Sequence, residues 1–150
     1  MPLRLPIPIP VVLFGRSATV GKPVSELLRP EYEVIHFIVT PEEARAELPR
    51  LLAGRDPQSA SPNDVGSHNY SQPPRVAIFG RGYNPDFVQE LKKVCGDDVR
   101  QPVAWVVGEP SKAPTAPPPP GYGKLVADEV KGVLETWREE GGAEDAFILY

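Results

Sequence analysis

Residues 15–21, Gly-Arg-Ser-Ala-Thr-Val-Gly, and residues 80–82, Gly-Arg-Gly, hold the groups of this chain best suited to binding chemistry. Each stretch sets an arginine beside glycines directly after an apolar run, Val11-Val12-Leu13-Phe14 in one case and Val76-Ala77-Ile78-Phe79 in the other. A guanidinium presents a planar fork of N–H donors that matches phosphate or carboxylate, and the Ser17 hydroxyl adds a further donor. Glycine permits the sharp turn at a strand's end and lets a ligand approach the backbone closely. These residues suit the capture of an anion. No Ser-His-Asp order, paired-carboxylate motif or metal-ligand spacing adds catalysis to it. Cys95 is the single cysteine, which excludes an intrachain disulfide and a cysteine metal cage.

A short, fully apolar run bounded by glycine reads as a buried strand of a parallel sheet. The first strand is predicted over 10–14. The first helix is predicted over 21–29, with Pro23 in its first turn and its end before Pro30. Strand, glycine turn and helix start then follow one another, and the free N–H groups and dipole of the helix start favour a phosphate. Two familiar phosphate loops do not fit. Five residues separate Gly15 from Gly21 and Pro23 follows Lys22, whereas the Walker pattern needs four residues and a Ser or Thr. Ser17 stands where the GxGxxG fingerprint needs its second glycine.

The stretch 11–28 resembles the cofactor-binding motif of the methylenetetrahydrofolate dehydrogenase/cyclohydrolase family, V-V-x-G-R-S-x-x-V-G-x-P-x-x-x-L-L. Gly15, Arg16, Ser17, Val20, Gly21, Pro23, Leu27 and Leu28 carry the match. The resemblance implies an NAD(P)-binding domain in which Arg16, Ser17 and nearby backbone hold the phosphates of NADP. It also implies that Gly80, Arg81 and Gly82 form a second wall of that site. His36 and Thr40 echo a His and Thr of the family at the end of the second strand, with one extra residue between them and no Ser. Gly123-Lys124-Leu125-Val126 echoes a further family stretch. The likeness extends over about residues 11–130 and is specific only at 11–28. The family's catalytic machinery, including its essential lysine, lies in a folate domain ahead of the cofactor domain. Only about ten residues precede the first strand here, so the chain is expected to lack that machinery and the activity that depends on it.

The remaining elements follow from local signals. Residues 1–10 alternate proline with Leu or Ile and read as an extended arm. Strand two is predicted over 33–39. It ends without the acidic residue that would favour NAD, which tilts the expectation toward NADP. His36, inside that apolar run, reads as a structural histidine. Thr40-Pro41-Glu42-Glu43 has the form of a capped helix start, and Pro49 is expected to kink or end that helix. Residues 53–74 are polar, with one Val and one Tyr, and read as a flexible loop outside the core in which His68 is solvated. Strand three runs from Arg75 into the Gly80-Arg81-Gly82 turn. Asn84 caps a helix through Cys95, closed by Gly96. Strand four is Pro102–Gly108, followed by a proline-rich connector over 109–123. A helix from Lys124 to Glu140 turns Leu125, Val126, Val130, Val133, Leu134 and Trp137 to one side. Residues 146–150 suit a last strand.

This alternation predicts an α/β domain over 11–150: a three-layer, Rossmann-like open parallel sheet of four to five strands in the order 2-1-3-4, with the fifth at the edge. A length of 150 residues suits one such domain. The net charge of −4 and pI near 5.2, with no basic cluster, argue against nucleic acid and against a polybasic membrane surface. No apolar run approaches membrane-spanning length. A cytoplasmic protein is the expectation. Three functions fit: a stand-alone module binding NADP, NAD or another nucleotide; a non-catalytic interaction module that meets a protein partner or its own copy through its proline segments; and a small NADP-dependent oxidoreductase. The missing catalytic groups weigh against an enzyme.

Overall fold

The structure, a computed structural model, describes residues 7–58, 65–96, 99, 101–113 and 119–150. Strands and helices alternate as β1 (Ile9–Phe14), α1 (Ala18–Leu27), β2 (Tyr32–Ile38), α2 (Pro41–Leu52), β3 (Val76–Phe79), α3 (Pro85–Cys95), β4 (Ala104–Val107), α4 (Tyr122–Glu139) and β5 (Ala146–Leu149). The strands form one parallel sheet in the order β2-β1-β3-β4-β5. The expected α/β open sheet is therefore present, with its fifth strand in place.

Helices cover both sheet faces, which is why the strands are apolar without alternation. On one face α1 and α4 bury Leu13, Phe37, Ile78, Val106, Val130 and Leu134. On the other, α2 and α3 cover Phe14, Phe79 and Trp105, whose rings run in a row across β1, β3 and β4. Phe14 pairs with Phe79 in the strand register, and their rings stack with centroids 4.1 Å apart. Among the described residues no helix is long and apolar enough to cross a membrane.

Several elements depart from the sequence expectation. Helix α1 starts at Ala18, three residues before Gly21, because Ser17 caps it: its hydroxyl oxygen accepts a hydrogen bond from the Thr19 N–H at 3.1 Å. Pro23 consequently lies inside the helix rather than in its first turn. Pro49 does not end α2, which continues to Leu52. Burying Leu48, Leu51 and Leu52 gains about 1.5–3 kcal/mol each, against roughly 3 kcal/mol for an internal proline. Packing wins. In α4 the inward face is Val126, Ala127, Val130, Leu134 and Trp137, while Leu125 stays half exposed.

The 53–74 loop is the largest difference. Its one valine, Val65, is 1% exposed and belongs to the core beneath α1 and α4, and its one tyrosine, Tyr70, packs against the opposite core. The Ser67 and His68 N–H groups donate to the Val34 and Ile35 carbonyls at 2.8 and 2.9 Å. β2 is an edge strand whose outer backbone groups need partners, and this loop supplies them. The described parts of the loop are thus docked; residues 59–64 lie outside the described set. Of the arm, Ile9 is buried within β1 and Ile7 is exposed, and residues 1–6 lie outside the described set.

Candidate functional site

The two Gly-Arg turns meet at the carboxyl edge of the sheet. β1 continues to α1 and β2 on one side, while β3, β4 and β5 extend on the other, so the chain reverses direction across the sheet between β1 and β3. Open parallel sheets bind ligands in the crevice outside such a point. Here a cavity of about 340 Å³ opens between the start of α1, the turn after β3 and the start of α4. Gly15, Arg16, Ser17, Val20, Gly21, Gly80, Arg81 and Gly82 all line it. A larger hollow of about 690 Å³ lies at the opposite edge, around Pro10, Glu33, Asn69 and Arg75. It has no strand-end glycine turn or helix start, so the switch-point cavity is the stronger candidate.

Close packing fixes the geometry of the first turn. A Cβ on Gly21 would lie 2.5 Å from Phe37 Cζ, so only glycine lets α1 come this near β2. The Gly15 N–H donates to the Ile38 carbonyl at 3.0 Å and the Gly80 N–H to the Phe14 carbonyl at 2.9 Å, which continues the sheet's bonding into both turns. Arg16 is exposed, and its Nε and Nη2 donate to the Gly82 carbonyl at 3.2 and 2.7 Å. Tyr83 closes the same junction through its hydroxyl, which donates to the Gly15 carbonyl at 3.2 Å. At the start of α1 the Thr19 N–H donates to the Ser17 hydroxyl oxygen, and the Val20 and Gly21 N–H groups donate to the Ser17 carbonyl at 3.2 and 3.0 Å. The positive end of the α1 dipole, the Ser17 hydroxyl and the Arg16 side chain therefore lie together at the cavity mouth.

Arg81 is built differently. It is 5% exposed, its Nη2 donates to the Glu129 carboxylate on α4, and its Cζ lies 4.8 Å from the Tyr150 ring centroid. Burial opposes its charge, but the Tyr122 hydroxyl and the Glu129 carboxylate outweigh burial and raise its pKa. Both arginines of the expected anion site line the cavity, and each has a partner within the chain: Arg16 is exposed and bonded to the Gly82 carbonyl, Arg81 is buried and paired with Glu129. Gly108 makes room for it, since a Cβ there would lie 2.4 Å from Arg81 Cγ. The Tyr150 hydroxyl donates to the Phe79 carbonyl at 3.0 Å, and burial raises its pKa. Burial raises Tyr83 to about 12.

Thr40 does not line the cavity. Its hydroxyl oxygen accepts from the Glu43 N–H at 3.1 Å and caps α2. His36 is also outside it. A bulge in the β1–β2 pairing sets Val12 opposite His36 instead of Ile35, which turns the imidazole to the α2 side. There Nδ1 pairs with the Tyr70 hydroxyl at 2.8 Å, while the buried Nε2 has no hydrogen-bond partner among the described residues. The structural histidine expected from the sequence is thus only half satisfied. Among the described residues no three His, Cys, Asp or Glu side chains are grouped to hold a metal ion. Tyr83, Tyr122, Val126, Glu129 and Tyr150 were beyond sequence reasoning as site residues, because only the folded sheet brings them to the two turns.

The sequence is 34% identical over 140 residues to Kojic acid related protein 6 of Aspergillus oryzae (strain ATCC 42149 / RIB 40). The alignment spans 93% of this chain and 84% of the relative. The chain belongs to that protein's family. No family model matches the sequence, and no solved structure matches it either.

Proposed function

We propose that the chain is a nucleotide-binding module that holds a phosphate over the start of α1, with NADP, or else NAD, as the leading ligand. The observation that carries this reading is the cavity at the β1/β3 switch point with Arg16, Ser17 and the α1 N-terminus at its mouth. The likeness of residues 11–28 to the methylenetetrahydrofolate dehydrogenase/cyclohydrolase cofactor motif supports it. Arg16 and Ser17 fit a phosphate. The far ribose finds less, because Thr40 is spent on α2 and β2 ends without an acid. The Tyr83 and Tyr150 hydroxyls beside the cavity donate to backbone carbonyls and the Tyr122 hydroxyl is engaged with Arg81, so the reading is binding rather than catalysis, in a cytoplasmic setting.

Calorimetric titration of NADP, NAD and simpler adenine nucleotides tests this directly. Kojic acid, the compound in the relative's name, belongs in the same panel. One observation favours a second reading, a Rossmann-shaped interaction module: both arginines already have partners within the chain. The proline segments that such a module would use are residues 1–10 and 109–123, of which 1–6 and 114–118 lie outside the described set. That reading takes the lead if no nucleotide binds at millimolar concentration.

A further inference from the structure

We propose that the ligand of this site is a small anion carrying one apolar ring, with the ring seated between α1 and α4 and the anionic group at the start of α1. The proposal rests on the phosphate reading above and specifies what the phosphate is attached to. Its basis is the character of the cavity wall. Val20 and Val24 from α1, Phe37 from β2, and Tyr122 and Val126 from α4 make that wall predominantly apolar. Arg16 and Arg81 are its charged members, and among the described residues no Asp or Glu lines it. Among the described residues the cavity wall thus has no carboxylate to grip a ribose diol, while the Arg16 charge at its mouth suits an anionic head.

Size points the same way. Small-molecule sites run from about 300 to 1,000 Å³, so a cavity of about 340 Å³ is at the small end. A dry apolar cavity of roughly 150 Å³ holds benzene. One substituted ring fits inside it, and the rest of a larger ligand would lie at or beyond the open mouth. Phosphate at the mouth and ring in the interior would each meet the surface chemistry that suits it: donors and positive charge outside, aliphatic and aromatic carbon within.

The test uses phenyl phosphate as probe, with inorganic phosphate, phenol and NADP beside it, titrated calorimetrically into the intact chain. Phenyl phosphate should bind at least about tenfold tighter than inorganic phosphate, which at 1.4 kcal/mol per decade is a modest gain for burying a ring. Val126→Phe and Val20→Phe each fill the cavity and should erase that gain while leaving inorganic phosphate binding unchanged. Val20 is only partly buried, so its variant stays informative if Val126→Phe does not fold. Equal affinity for phenyl phosphate and inorganic phosphate in the wild type, or a gain that survives both substitutions, overturns the proposal. If NADP and inorganic phosphate bind but the ring adds nothing, this proposal alone falls; if neither binds, the phosphate reading falls with it.

Discussion

Arg16 donates two hydrogen bonds to the carbonyl of Gly82, 66 residues away, and so ties the turn after β1 to the turn after β3 across the switch point. The contact depends on glycine at residue 82. A Cβ at residue 82 would lie 2.7 Å from Arg16 Nε. Because Arg16 is exposed, its side chain can swing away at little cost to the fold. Gly82→Ala should therefore weaken NADP binding several-fold while changing stability by less than about 0.5 kcal/mol, as surface substitutions usually do. Parallel calorimetry and thermal melts check this, and a large loss of stability would show that the bridge supports the fold instead.

Gly21 faces the opposite situation. Phe37 is fully buried, so its ring cannot yield to a Cβ placed 2.5 Å from Cζ. Gly21→Ala should destabilise the protein by about 1–3 kcal/mol, the usual cost of overpacking. Gly132 in α4 is the control, since a Cβ there meets nothing within 4 Å. Gly132→Ala should stabilise by about 0.5–1 kcal/mol through helix propensity. Urea unfolding of both variants separates close packing from a general intolerance of alanine.

Arg81 and Glu129 form a partly buried ion pair, with side-chain exposures of 2% and 35%. Removing one partner of a fully buried pair costs roughly 3–5 kcal/mol. The one-third exposure of Glu129 lets water take up part of that loss, so Glu129→Ala should cost about 2 kcal/mol. Adding Arg81→Met should restore part of it, because no buried charge is then left unpaired. A double variant less stable than Glu129→Ala would show that Arg81 is held mainly by Tyr122 and Tyr150.

His36 makes stability depend on pH. Burial pushes its pKa below the ordinary 6.5, helped by the nearby His68 and opposed by the Glu47 carboxylate on α2. As pH falls below 6.5, the unfolded chain takes up the proton before the folded one. The stability contributed by the neutral imidazole is therefore complete above that value and is lost on acidification. Urea midpoints measured from about pH 7.5 down to about pH 5 should fall, and His36→Gln should flatten that slope. An unchanged slope in the variant would assign the acid sensitivity to carboxylates elsewhere.

The sheet was legible because its signals are local: apolar runs, strand-end glycines, and the caps at Thr40 and Asn84, whose side chains accept the N–H groups of Glu43 and Asp86. Those runs also gave the strand order and the first turn of the site. What escaped depends on the folded whole. The bulge that sends His36 to the α2 face is a register property of two strands. Val65 and Tyr70 looked like stray residues in a polar loop until the open edge of β2 gave the loop something to bond. Pro23 and Pro49 sit inside helices because capping and leucine burial outweigh their missing donors. Arg81 could be read as a site residue, but its neutralisation by Glu129 could not, since 48 residues separate them.

Calorimetric titration of NADP into the wild type and Arg16→Ala tests the central claim most directly. A charged hydrogen bond contributes about 1.5–3 kcal/mol, which corresponds to roughly ten- to a hundredfold in affinity. The wild type should bind, and Arg16→Ala should lose that factor with little change in melting temperature. Failure of the wild type to bind NADP, NAD or an adenine nucleotide at millimolar ligand would contradict the account and leave the glycine turn a purely structural junction.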